Sequence, residues 1–200
     1  MSDFLEEEVP PVSPLGAAAI AELGRCFLEQ LAPEVLESPQ RLDVLDLVDT
    51  RLPKFGIHVC PASREEIGNR AGATDPKGRG EVTILVSEEV WNDLEKSGSR
   101  SYYARSTVGH EIGHAVIHVP VLRRKLLATN VLARTQRANL PAYMDPEWQA
   151  WAFCGSILMP PVTLEMLLKE HGKLTTDIVS DTYEVSTQLA SGHLKRQKLI

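Results

Sequence analysis

Twelve residues constrain this chain more than any others: TVGHEIGHAVIH, Thr107 to His118. They contain His-Glu-x-x-His. On an α-helix, residues four apart lie one turn apart on the same face, so His110 and His114 aim two imidazoles at one point. Zinc accepts neutral imidazole nitrogen at about 2.0–2.1 Å and takes four ligands in a tetrahedron. Glu111 is turned around the helix from both histidines. It is poorly placed to bind the same ion. It is well placed to take a proton from water that the ion acidifies to a pKa of about 7. The competing reading is a core helix that carries two histidines by chance.

Two histidines leave a protein ligand to be found. His118 lies eight residues beyond His110, a rise of about 12 Å on a helix, so it cannot converge with the other two and is read as a packing or hydrogen-bonding residue. Glu147 is the better candidate, being the only glutamate between Glu111 and Glu165. It stands in DPEWQAWAFCGSILMP, where Asp145 reads as a helix cap, Pro146 as the first helical residue and Ala150, Phe153, Ile157 and Leu158 as an apolar face. A glutamate in a first helical turn is also favoured by the helix dipole alone, and that reading stands beside the ligand reading.

Around these two helices the chain reads as α+β, mostly helical with a small sheet. Apolar spacing predicts helices over residues 15–31 and 40–52, and strands over 57–60 and 81–87. The motif helix is expected to run from about Arg100 to His118 and to stop at Pro120. Residues 67–80, IGNRAGATDPKGRG, lack both GxGxxG and GxxxxGK[ST] and read as a turn rather than a phosphate cradle. Residues 128–144 show no clean period and read as a long loop, a candidate lid. Residues 1–13, acidic and proline-rich, read as a disordered tail, 14–172 as the main domain, and 173–200 as a C-terminal helical segment with the outline of a helix-turn-helix.

Composition excludes several classes. The net charge is −6 over 200 residues, which argues against a dedicated nucleic-acid binder. Lys195, Arg196 and Lys198 read as a solvated helix end. No apolar run reaches the roughly 18 residues of a membrane span, and the acidic start is unlike a secretory signal. Cys26, Cys60 and Cys154 show no CxxC pairing; they are expected to be reduced, small core residues of a cytoplasmic protein.

ARSTVGHEIGHAVIH followed by EWQAWAFCGSILMP resembles the ImmA/IrrE family of bacterial zinc metallopeptidases. Arg105, His110, Glu111, Gly113, His114, Glu147, Gln149, Ala150, Phe153, Leu158, Met159 and Pro160 stand as the family's two motifs have them. The likeness extends more weakly to GEVTILVSEEV and to YEVSTQLASGHLKRQKLI, and so covers about residues 40–200. Trp151, Ser106 and His193 depart from the usual Asn or Asp, Phe and Arg. The resemblance implies a zincin-like metallopeptidase domain, His110, His114 and Glu147 as Zn2+ ligands, and Glu111 as the catalytic carboxylate. It implies that an extended peptide pairs with a sheet edge, for which residues 81–87 are a candidate, a core strand being the other reading. By analogy it implies a narrow protein substrate, a helix-turn-helix repressor whose cleavage releases stress or mobile-element genes. Tyr102, Tyr103 and Tyr143 are candidate oxyanion stabilisers. The alternative is a non-catalytic regulatory or protein-binding module, possibly DNA-associated, that uses the metal structurally.

Overall fold

A computed structural model describes residues 8–9, 12–75, 80–129 and 135–200. Strand β1 (Glu8–Val9) leads to helix α1 (Ala17–Leu31), whose buried Ile20, Gly24, Phe27, Leu28 and Leu31 follow the helical period. Helix α2 (Val44–Asp46) starts later than apolar spacing predicts, because the Asp43 carboxylate accepts from the Asp46 N–H and caps it there. It runs on through a π turn (Leu47–Arg51) and a 3-10 turn (Leu52–Phe55) to Gly56, whose φ of 71° ends it.

Strand β2 (Ile57–Ala62) and helix α3 (Arg64–Ile67) follow, the latter opened by a capping box between Ser63 and Glu66. Then come β3 (Gly72–Thr74), β4 (Val82–Ser87) and α4 (Glu88–Asp93). The sheet order is β2-β4-β3, with β2 parallel and β3 antiparallel to β4. Strand β4 is therefore central, with Ile84 and Val86 fully buried, and of the two readings of residues 81–87 the core strand holds. Edge strand β3 comes from a stretch that reads in sequence as a turn. Its strand character is imposed by pairing, not by composition.

Helix α5 (Ser99–Gly113) carries the motif. It does not stop at Pro120. A π turn (His114–His118) leads straight into α6 (Val119–Thr129), the Val119 N–H bonding five residues back to the His114 carbonyl. The widened turn sits immediately before Pro120, the position where a ring without an N–H would otherwise clash with the preceding turn. The expected lid is only partly described: β5 (Thr135–Gln136) and two 3-10 turns fill its later half, and residues 130–134 lie outside the described residues.

Helix α7 (Pro146–Leu158) is the hub. The Asp145 carboxylate accepts from the Glu147 N–H at 3.0 Å and Pro146 takes the first position, as the sequence predicts. Phe153, Ile157 and Leu158 are fully buried, each contributing about 1.5–3 kcal/mol of transfer free energy. Helices α8 (Pro161–His171), α9 (Thr176–Tyr183) and α10 (Thr187–Arg196) complete the chain, with Ser186 capping α10. Leu189, Ala190 and Leu194 of α10 join the same hydrophobic core, His193 is buried beside them, and Arg196 folds back toward the Trp151 carbonyl at 3.5 Å rather than forming part of a solvated end.

Two more expectations shift. The tail is predicted to reach residue 13, but Val9 and Val12 are buried and β1 pairs antiparallel with β5; residues 1–7 lie outside the described residues. Of the three cysteines, Cys154 is buried, Cys26 intermediate and Cys60 exposed on β2. Among the described residues, no single helix is long and apolar enough to cross a membrane.

Candidate metal centre

The site forms where α5 crosses α7. Close approach is set by small residues in the motif itself. A Cβ built on Gly113 would lie 3.0 Å from both Cα and the carbonyl oxygen of Ala150, and one on Gly109 would lie 3.0 Å from the Cys154 sulfur. Glycine inside a helix costs about 0.5–1 kcal/mol relative to alanine. Here two of them, one turn apart, let the backbones meet. Each precedes one motif histidine, so the same contact that seats α7 presses His110 and His114 against the head of that helix, where Glu147 stands.

The three side chains converge. His110 Nε2 lies 3.1 Å from Glu147 Oε2, His114 Nε2 lies 3.2 Å from Glu147 Oε1, and the two Nε2 atoms are 3.1 Å apart. Ligands about 2.05 Å from a tetrahedral ion would stand about 3.3 Å from one another. Each imidazole nitrogen thus meets its own carboxylate oxygen at about that spacing, one ligand atom from each of the three residues lies within 4.8 Å of the others, and two imidazoles with one carboxylate are a zinc-type donor set. The group could hold a metal ion. His118 is not part of it, as the helical rise predicts.

Charge in this corner is strongly coupled. Burial works against an ionised Glu147, yet its contacts with His110 and His114 outweigh that and hold the carboxyl far below the usual range. Burial likewise pushes His114 down, but the Glu147 carboxylate more than compensates and the imidazole ends raised. Both shifts come from the same contacts, imidazole nitrogens facing the carboxylate oxygens of Glu147.

Glu111 is buried beside the triad and held from the sheet. Thr74 Oγ1 on β3 donates to Glu111 Oε2 at 2.7 Å. A Cβ on Gly72 would lie 2.7 Å from Glu111 Cγ and 3.0 Å from Oε1. Only a residue without a side chain leaves room for the carboxylate there. Neither residue is signalled in the sequence, because nothing in a turn-like stretch reveals that it will meet a helix 37 positions away.

The two histidines are supported differently. The His110 ring stacks on Trp151, centroids 4.3 Å apart, and its buried Nδ1 has no hydrogen-bond partner among the described residues. His114 Nδ1 instead meets His118 Nδ1 at 3.0 Å, and His118 Nε2 meets Gln149 Oε1 at 3.0 Å. Burial and the neighbouring His114 lower the His118 pKa to about 4, so it is neutral at ordinary pH. The motif arginine serves the frame: Arg105, buried on α5, donates to the Leu42 and Glu184 carbonyls. Among the described residues, the side chains of Tyr102, Tyr103 and Tyr143 make no hydrogen bond to the triad or Glu111; Tyr143 contributes only its carbonyl, to Gln149. Surface cavities of about 290 and 560 Å³ lie elsewhere, around Arg41 and Arg105 and around Arg64 and Tyr103.

No protein-family model matches the chain, and no curated protein matches it.

Proposed function

We propose that this chain is a zinc-dependent endopeptidase of ImmA/IrrE type, built on a zincin-like domain. The observation that carries the reading is the convergence of His110, His114 and Glu147 from two helices, with Glu111 next to His110 in the chain and its carboxylate held by Thr74.

A divalent cation held by that triad would supply Lewis-acid chemistry, acidifying water and polarising a carbonyl. The rest falls to the chain's own residues. Thr74 ties down Glu111 Oε2, which leaves Oε1 to take a proton from the attacking water. The water oxygen bonds to the peptide carbonyl carbon, the carbon–nitrogen bond breaks, and the proton held on Glu111 passes to the leaving amine. Strand β3 is the sheet edge beside Glu111, so an extended peptide pairing there would lie alongside the carboxylate. The substrate is proposed to be a helix-turn-helix repressor, on the sequence resemblance.

The test compares wild type with Glu111→Gln, each co-expressed with a candidate repressor encoded nearby. The expected result is equal metal content and cleavage by the wild type alone. Full regulatory function in the glutamine variant would favour a non-catalytic binding module instead.

A further inference from the structure

His118 is the third histidine of the motif helix, buried and outside the triad. Its surroundings leave almost no freedom in where protons sit. Gln149 Nε2 lies 2.9 Å from the Ser13 carbonyl oxygen and 2.7 Å from the Tyr143 carbonyl oxygen. Carbonyls can only accept, so the amide nitrogen must face them and Oε1 must face His118. An amide oxygen can only accept, so His118 Nε2 must carry the proton. With one proton on the neutral ring, His118 Nδ1 is a lone pair. It lies 3.0 Å from His114 Nδ1, which must then be the donor. A neutral His114 that donates there presents its lone pair on Nε2, the atom that faces Glu147 and His110, which is the tautomer a cation between these groups would require.

We propose that Gln149 and His118 form a proton-ordering relay that sets the His114 tautomer and ring orientation for metal binding. They are positioning residues: neither offers an atom to the ion, and each acts through the next, Gln149 on His118 and His118 on His114. The relay is one-sided: among the described residues His110 Nδ1 has no counterpart, and the ring stacks on Trp151 instead. Its far end is anchored on two carbonyls, one of them in the segment just ahead of α1, so the fold outside the motif helices determines the state of a ligand. This rests on the metal reading above, and the experiment separates the two.

The full chain is used, with zinc as the probe. Ring nitrogen shifts above pH 8 should show His118 protonated on Nε2 with or without zinc, and His114 protonated on Nδ1 once zinc is bound. A His118 protonated on Nδ1 would overturn the relay whatever the protein does with zinc. Zinc dissociation constants from chelator competition supply the second readout. His118→Asn, whose Oδ1 still accepts from His114, should stay within about threefold of wild type, whereas His118→Leu should bind about 10- to 100-fold more weakly. Equal affinity across wild type, His118→Asn and His118→Leu would also overturn it. Should the leucine variant fail to fold, the nitrogen shifts decide alone. A wild type that holds no zinc would defeat the metal reading, and the tautomers would still report on the relay.

Discussion

Thr74 Oγ1 donates to Glu111 Oε2 across 2.7 Å, joining the edge strand of the sheet to the carboxylate of the motif helix. Hydrogen bonds to charged groups contribute about 1.5–3 kcal/mol. Thr74→Val keeps the branched shape and removes the donor. If Glu111 works as the proton acceptor, the variant should retain its zinc while its cleavage rate falls roughly 10- to 100-fold. Metal analysis alongside a peptide-cleavage assay checks this, and an unchanged rate would show that Glu111 does not need the bond.

Gly113 and Gly109 make a graded pair. Gly113→Ala drives a methyl into the Ala150 backbone at 3.0 Å, which cannot yield without moving α7. Gly109→Ala meets first a side-chain sulfur at 3.0 Å. Gly113→Ala is expected to cost about 1–3 kcal/mol of stability by overpacking and to weaken zinc binding by pushing Glu147 off the histidines. Gly109→Ala should cost less on both counts. Thermal melts and zinc competition of the two variants test the order; the reverse order would place the critical contact elsewhere.

Much of this architecture is legible in the sequence because its causes are local. The spacing of His110 and His114, the cap at Asp145 with Pro146 behind it, the cap at Ser186 and the alternation of Val82, Ile84 and Val86 each act within a few residues. Glu147 is a candidate on the same footing, and its convergence with the histidines required the fold. What was not legible depends on distant partners. Gly72 and Thr74 become a strand only by pairing with β4, and acquire meaning only against Glu111. The continuation through Pro120 depends on a π turn that apolar spacing does not encode. Ser13 reads as part of a loose tail, yet its carbonyl is fixed by Gln149.

His193 supplies a pH test away from the site. It is fully buried on α10, its Nε2 lies 3.0 Å from the Met159 carbonyl oxygen, and burial, with Arg196 nearby, pushes its pKa down to about 3. A histidine depressed in the folded state takes up its proton in the unfolded chain first, near 6.5. Stability is therefore lost as pH falls from about 6.5, and this histidine's share stops growing near its folded value. Its contribution to the slope approaches about 1.4 kcal/mol per pH unit. His193→Gln, which preserves a donor to Met159, should show a shallower loss of stability between pH 6 and 4. Denaturant titrations across that range measure it, and parallel slopes for the two proteins would refute the assignment.

A cation held jointly by two helices would be the centre of this protein's chemistry. Its most direct measurement is the zinc stoichiometry and affinity of the purified wild type, Glu147→Ala and Glu111→Gln. One zinc per chain in the wild type and in Glu111→Gln, with at least about tenfold weaker binding in Glu147→Ala, is the predicted result. Undiminished zinc affinity in folded Glu147→Ala, or a wild type that binds none, would contradict it.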